Sequence, residues 1–171
     1  MRNILKNRTA LSTVVTTLII LVVSVLLAGV VTYFAINVTS TRVQEENLHV
    51  MYQHIWYSTV DTQAEAGFIV VNTGGRDVVL SKIAIRGQTS AWTNVYSNNT
   101  AVTVGDLPYV ATPGAEYDAA NDSLILKAGA TMAVYVLSPD SISVNDVGLT
   151  VAISVFTSQA IYYKETNIEA A

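Results

Sequence analysis

Few residues of this 171-residue chain are of the types that enzymes use for catalysis. There are two histidines, His49 and His54, and no cysteine. The histidines are five residues apart, so they would not share one face of a helix, and two ligands alone make a poor metal site. The sequence also has no phosphate-binding loop, no serine nucleophile motif and no zinc-hydrolase motif. The sequence therefore predicts a protein that is not an enzyme and that needs no cofactor or metal.

Two other groups of side chains could bind ligands, and a plainer explanation is favoured for each. Acidic and amide side chains near residue 120 offer the oxygen atoms that calcium prefers, but their irregular spacing favours a solvated acidic loop. A group of aromatic residues could form a sugar-binding or adhesive patch, whereas packing in a domain core is the favoured interpretation. The acidic group is Glu116, Asp118, Asn121 and Asp122, and the aromatic group is Trp56, Tyr57, Trp92, Tyr96 and Tyr109.

The sequence has four matches to the N-x-[ST] pattern. The match at Asn7 precedes the long apolar segment and is set aside, and the other three predict sites for N-linked glycans if that part of the chain lies outside the cell. They begin at Asn37, Asn98 and Asn121. Asn98 and Asn121 are expected in loops, where a glycan is easily accommodated. Asn37 is close to a long apolar segment, where a glycan could be sterically excluded.

The apolar segment is the most informative feature of the sequence. No charged residue occurs in Thr9–Thr41, and Val14–Ile36 consists mostly of valine, leucine and isoleucine. As an α-helix, 23 such residues would cross a hydrocarbon layer of about 30 Å. Arg2, Lys6 and Arg8 precede the segment, so the positive-inside rule leaves the N-terminus in the cytoplasm and the remainder outside.

Composition excludes several classes for the rest of the chain. Residues 57–171 carry 5 basic and 11 acidic side chains, which argues against nucleic acid as a partner. The chain is 51% hydrophobic and 13% charged, which argues against disorder. The lack of cysteine excludes a small disulfide-linked scaffold. A membrane-linked chain with an acidic globular domain remains.

Periodicity predicts an α+β protein, with one long helix followed by an all-β domain. Val43, Leu48, Met51 and Ile55 recur near helical spacing, so the helix is predicted to continue to residue 56. Runs rich in β-branched residues then predict an immunoglobulin-like β-sandwich over 57–171. The predicted strands are residues 66–72, 78–80, 83–85, 100–104, 123–127, 131–137, 148–156 and 160–164, with a long loop over 107–122.

The stretch KNRTALSTVVTTLII, residues 6–20, resembles the class III signal and N-terminal helix of archaeal type IV pilins. In that family a membrane peptidase removes a short basic leader after a small residue, which here implies cleavage between Ala10 and Leu11. Val15 occupies the position where bacterial pilins have glutamate, so the archaeal branch is the better match. The resemblance implies three segments: a leader over 1–10, a membrane and filament-core helix over 11–56, and an extracellular head over 57–171.

The same resemblance implies a structural subunit of an archaeal pilus-like surface filament, which polymerises with copies of itself and serves adhesion. Its precursor waits in the cytoplasmic membrane, and its partners are a prepilin peptidase, an assembly ATPase and a platform protein. An archaellin of a swimming filament is one alternative, and a monomeric membrane-anchored extracellular binding domain is another. The residues expected in the filament core are Val14, Leu18, Leu21, Val22, Val25 and Leu26.

Overall fold

A computed structural model of the chain describes residues 4–43, 45–99, 105 and 107–171. Its contacts divide the chain into two units, Met1–Val43 and Gln44–Ala171. The first unit is a single α-helix and the second is a β-sheet domain, which we call the head. The prediction of an apolar helix followed by a β-rich domain is confirmed at this level.

Helix α1 spans Ile4–Val43, which is 40 residues or about 60 Å. All three prolines of the chain occur after residue 107, so nothing in this segment removes a helical hydrogen bond. The β-branched residues are individually modest helix formers. In an apolar environment, however, the backbone must satisfy its own hydrogen bonds, and a helix does so within one segment.

The predicted helix over 11–56 is wrong beyond Val43, because Leu48–Ser58 is strand β1. Leu48 and Val50 alternate into the core, as a strand requires. A bulge between Met51 and His54, with Tyr52 at a φ of +51°, then shifts the alternation. The bulge places the apolar residues of this strand near helical spacing, and for this reason the periodicity predicts a helix here. The head therefore begins before residue 57.

The described residues of the head form ten strands in one sheet. Their order is β4-β3-β9-β10-β1-β2-β8-β5-β6, and β7 pairs with β3 outside this path. Only β1 and β10 pair in parallel, over three residues from Ile55 opposite Ile168; the other described pairs are antiparallel. The remaining strands are β2 Gln63–Asn72, β3 Val78–Ile85, β4 Gln88–Thr89, β5 Val95–Asn98, β6 Asp118–Ala119, β7 Leu124–Leu126, β8 Thr131–Leu137, β9 Thr150–Thr157 and β10 Ile161–Ala170.

The main core contains side chains from both halves of this sheet. Phe68 and Val134 come from one half, Leu80 and Ile153 from the other, and all four are completely buried. The two halves are joined through the β1–β10 pair. The immunoglobulin-like arrangement of two separate sheets is therefore not confirmed, although the β-rich head is.

Most predicted strands have counterparts in the head. The prediction for 131–137 matches β8 exactly, and 66–72 lies within β2. The two predicted strands 78–80 and 83–85 are one strand, β3. Residues 123–127, 148–156 and 160–164 correspond to β7, β9 and the first part of β10. The strand predicted over 100–104 lies outside the described residues.

Candidate functional site

The surface of α1 is apolar on every side. All side chains over residues 11–40 are exposed within the isolated chain, and Leu11–Ser40 is long and apolar enough to cross a membrane. The six residues expected in the filament core are each 46–64% exposed: Val14, Leu18, Leu21, Val22, Val25 and Leu26. A helix without a polar face belongs in a membrane or inside a bundle of helices.

Several hydroxyl groups of α1 donate to carbonyl groups of the helix itself. Thr16 Oγ1 donates to the carbonyl of Ser12 at 2.9 Å, and Ser24 Oγ donates to the carbonyl of Ile20 at 2.7 Å. Thr32 Oγ1 donates to the carbonyl of Ala28 at 2.8 Å. Such bonds remove the cost of placing a hydroxyl in an apolar medium. These polar residues are thus compatible with either lipid or a packed helical core.

The predicted cleavage bond, Ala10–Leu11, lies within α1. Leu11 is 68% exposed. Cleavage there would leave the apolar segment intact at the start of the mature chain. The cut itself stays a prediction.

The head has a second group of buried side chains, on the face of β1, β2, β5 and β8 that is opposite to the main core. We call it the aromatic cluster. Gly67 leaves room for it, because a Cβ there would lie 3.0 Å from the Tyr135 ring and 3.1 Å from the Trp56 ring. Its members are Trp56, Ile69, Leu107, Ala133 and Tyr135, with Met51, Val71, Tyr96, Tyr109, Val110 and Tyr117 packed against them.

One carboxyl group is buried beside the aromatic cluster. Glu65 on β2 is 0% exposed and lies opposite Trp56 on β1 and Leu137 on β8. Its two oxygen atoms each accept from the Val110 N–H at 3.2 Å. Burial raises the pKa of Glu65 from 4.5 to about 8, and the Val110 hydrogen bond offsets only part of that effect. Glu65 is therefore protonated at neutral pH.

Polar contacts fasten residues 107–111 over the aromatic cluster. Tyr135 Oη donates to the carbonyl of Pro108 at 2.9 Å, and Gln63 Nε2 donates to the carbonyl of Ala111 at 2.8 Å. Tyr109 Oη donates to Asp61 Oδ2 at 2.9 Å. Burial raises the pKa of both tyrosines, so both hydroxyls stay protonated. The cluster is therefore a second core, with Tyr109 and Val110 half-buried at its surface.

Sequence reasoning missed Glu65, because an isolated glutamate in a β-rich run reads as a solvent-facing residue. It correctly favoured core packing for the aromatic residues. Trp56 is only 7% exposed, with its ring centroid 6.3 Å from that of Tyr109. Tyr57 and Trp92 pack against the main core. The four residues of the predicted acidic loop are all exposed: Glu116, Asp118, Asn121 and Asp122.

The two histidines lie on β1 and not on a helix. The His54 ring stacks on Trp56 at 5.3 Å between centroids, and its Nδ1 lies 3.4 Å from Glu169 Oε1. In the part of the chain that the structure describes, no three His, Cys, Asp or Glu side chains are grouped as metal ligands would be.

A groove of about 250 Å³ opens between β1 and β10, beyond the residues where these strands pair. It is smaller than the 300–1,000 Å³ typical of small-molecule sites. The Gln53 side chain crosses between the strands and donates to the carbonyl of Glu165 at 3.3 Å. The groove is lined by Leu48, His49, Val50, Ile161, Tyr162, Tyr163 and Lys164.

The three glycosylation sites differ in accessibility. Asn98 is the last residue of β5, pairs with Ala133 and is only 4% exposed. Its predicted place in a loop is therefore wrong, and the folded head hides its amide from a glycosyltransferase. Asn121 is exposed in the turn between β6 and β7, and Asn37 is exposed on α1.

We expect Asn121, and not Asn98, to carry a glycan on native protein. Intact-mass measurement of Asn121→Gln should show the loss of one glycan relative to wild type, because an exposed turn can enter a transferase site. Asn98→Gln, the control at a buried site, should leave the glycan mass unchanged. A wild-type mass equal to the bare polypeptide would contradict this prediction.

Comparisons with known proteins do not identify a family. No protein-family model and no curated protein matches the chain. Among solved structures, an apo PmoF2 PCuAC domain aligns at 15% identity and a TM-score of 0.46, covering 74% of this chain and 95% of that one. The ligand-binding region of serine-glutamate repeat protein A of Enterococcus faecium aligns at 15% identity and a TM-score of 0.32, covering 74% and 98%. Neither likeness is close enough to indicate a function for this chain.

Proposed function

We propose that this chain is a structural subunit, a pilin, of an archaeal type IV pilus-like surface filament. The precursor is held in the cytoplasmic membrane by α1, with its N-terminus inside. After removal of residues 1–10, the helix exchanges lipid for the helices of other copies, and the head is displayed outside, where it serves adhesion. A prepilin peptidase, an assembly ATPase and a platform protein are the implied partners, and the subunit itself catalyses nothing.

The observation that carries this proposal is the apolar circumference of α1 over a length greater than a bilayer needs. The membrane-competent part, Leu11–Ser40, has 30 residues, or about 45 Å as a helix, whereas the hydrocarbon layer is about 30 Å thick. Lipid and packed helices are both apolar, so transfer between them costs little, and close packing adds dispersion contacts. The internally bonded hydroxyls of Thr16, Ser24 and Thr32 suit both environments.

The head supports a structural role. Its two groups of buried side chains are packed cores, and the groove between β1 and β10 is small. A monomeric membrane-anchored binding domain is the alternative from a different class, because α1 is also long enough to act as an anchor. An archaellin is the alternative within the same architecture. The pilin-like start of the sequence at residues 6–20 favours the filament subunit.

The decisive experiment is electron microscopy of sheared surface material, with N-terminal sequencing of its subunit. We expect filaments whose subunit begins Leu-Ser-Thr-Val-Val, from a cut between Ala10 and Leu11. Ala10→Leu should block both the cut and the filaments, whereas Ala10→Gly, which keeps a small residue, should allow both. A mature subunit that begins at Met1, or wild-type protein that stays monomeric beside the complete assembly machinery, would overturn the proposal.

A further inference from the structure

Residues 45–47, which precede β1, are held at one end of the head in two places. One is the turn between β2 and β3, Thr73–Gly75, and the other is formed by the ends of β9 and β10 on either side of their turn. We call residues 45–47 and the turn Thr73–Gly75 the lock. β2 and β3 are not paired with each other, so this turn does not close a hairpin, and its backbone N–H groups bond to residues 45–47 instead.

The turn donates four hydrogen bonds to the backbone of residues 45–47. The N–H groups of Thr73 and Gly74 both donate to the carbonyl of Asn47, at 2.9 and 3.2 Å. Thr73 Oγ1 donates to the same carbonyl at 3.3 Å, and the Gly75 N–H donates to the carbonyl of Glu45 at 3.3 Å. Three successive N–H groups therefore point at one short segment.

A buried amide holds this turn in shape. Asn72 is 0% exposed, and its Nδ2 donates to the carbonyl of Arg76 at 2.8 Å and to that of Leu126 at 3.3 Å. Its Oδ1 accepts from the Gly74 N–H at 3.0 Å. A buried asparagine with donors and acceptor satisfied resists rearrangement, because any other turn geometry leaves a polar group unpaired.

The ends of β9 and β10 on either side of their turn hold the same segment through Glu46. Thr157 Oγ1 donates to Glu46 Oε1, and Tyr162 Oη donates to the carbonyl of Glu46 at 3.4 Å. Burial raises the pKa of Tyr162, so its hydroxyl remains a donor. Residues 45–47 are thus bonded to the Thr73–Gly75 turn and to the ends of β9 and β10, and not only to the strand that follows them.

Gly74 is required by space and not by backbone conformation. A Cβ at this position would lie 2.6 Å from the carbonyl oxygen of Glu45 and 2.8 Å from the nitrogen of Asn47. Positive φ angles are found at Gly87, Gly129 and Gly148, and Gly74 is not one of these glycines. Both close atoms are backbone atoms, so any side chain at 74 must push residues 45–47 away from the turn.

We propose that the lock is a mechanical clamp, which passes tension from the N-terminal segment to the head. Without it, a pull on the start of β1 would open the β1–β2 pairs one at a time, starting from Leu48 opposite Asn72. With it, the hydrogen bonds from the Thr73–Gly75 turn and from Thr157 and Tyr162 are loaded together before β1 can peel. The source of tension rests on the proposed filament function, whereas the lock is a property of one chain.

The test measures the full chain in detergent micelles by hydrogen exchange and by single-molecule pulling. Because the chain has no cysteine, Thr39→Cys and Lys127→Cys provide unique handles. Lys127 is exposed, and it lies at the end of the head where β1 begins, because Ala130 bonds to Asn72 opposite Leu48. A pull between these two handles therefore opens the β1–β2 pairs from Leu48 onward.

In Gly74→Ala, we expect the amides of Thr73 and Gly75 to exchange at least about tenfold faster, because several hydrogen bonds are lost together. The force of the first rupture should fall to roughly half, since peeling breaks fewer bonds at a time.

Gly29→Ala is the matched control, because a Cβ there meets nothing within 4 Å, and it should behave as wild type. Amides in the central strands, such as those of Phe68 and Val134, should keep their protection in both variants. Thr73→Val loses only one side-chain hydrogen bond, so we expect a smaller fall in rupture force. This variant tests the lock even if Gly74→Ala fails to fold. Unprotected amides at 73–75 in wild type, or unchanged rupture forces in the lock variants, would overturn the proposal. Both results are independent of whether the chain forms filaments.

Discussion

Val23→Asn is expected to abolish filaments while leaving normal amounts of protein in the membrane. Val23 is 57% exposed near the middle of the membrane-competent part of α1. One amide costs little against the transfer free energy of the remaining apolar side chains, so insertion should proceed. In a filament, each copy would place that amide in the shared core, where helical symmetry fixes the neighbouring helices. The amide would remain incompletely hydrogen-bonded, at a cost of about 1–3 kcal/mol per subunit.

Val23→Thr provides the control for this variant. Its hydroxyl can bond to a carbonyl of the preceding helical turn, as Ser24 bonds to Ile20, so its filaments should form as in wild type. Immunoblots of membranes measure insertion, and electron microscopy of sheared material counts filaments. Abundant filaments from Val23→Asn would argue that α1 does not pack in a shared apolar core.

The second large effect is a loss of head stability as pH rises. Below about pH 4.5, Glu65 is protonated in both the folded and the unfolded chain, so it contributes no pH dependence. Between about 4.5 and about 8, the unfolded chain loses this proton while the folded head retains it. Unfolding then becomes easier by about 1.4 kcal/mol per pH unit, reaching about 5 kcal/mol at pH 8.

Urea unfolding of the full chain, followed by tryptophan fluorescence at pH 5, 6.5 and 8, measures this effect. Both tryptophans, Trp56 and Trp92, lie in the head. The side chain at position 65 cannot ionise in Glu65→Gln. The unfolding free energy of wild type should therefore fall relative to that of the variant as the pH rises. Glu165→Gln, at an exposed position on β10, should follow the wild-type profile. A Glu65→Gln profile parallel to that of wild type would show that Glu65 ionises normally in the head.

Ionisation of Glu65 is expected to affect the position of residues 107–111. Water stabilises an ionised carboxylate, so we expect Val110, whose N–H donates to both Glu65 oxygens, to move away from the aromatic cluster as the pH rises. Tyr117 and Tyr135 are the titratable side chains whose pKa values Glu65 itself raises, and neither supplies a positive charge. Among the described residues, no positive charge contributes to the pKa of Glu65, so none of them compensates its ionisation.

Local sequence properties were sufficient to predict secondary structure wherever one class of residue dominates a segment. The uncharged run in the first forty residues determined a long apolar helix, because its composition leaves no polar face. Strand β8, Thr131–Leu137, was predicted to the residue, because a β-branched run with turn residues on both sides has one plausible conformation. The same reasoning placed Trp56 in a core and the acidic residues near 120 in solvent.

Pairing between distant segments decided what the sequence left ambiguous. The bulge at Tyr52 turned an apparently helical pattern into strand β1, since its partners on β2 and β10 supply the backbone hydrogen bonds. The burial of Asn98 follows from its pairing with Ala133, 35 residues away along the chain. The raised pKa of Glu65 follows from its burial in the folded head. A side chain at position 74 is excluded because the backbone of residues 45–47 lies against Gly74. Composition and periodicity describe each residue with its neighbours in sequence, whereas burial, pKa and close backbone contacts depend on segments that meet only in the folded head.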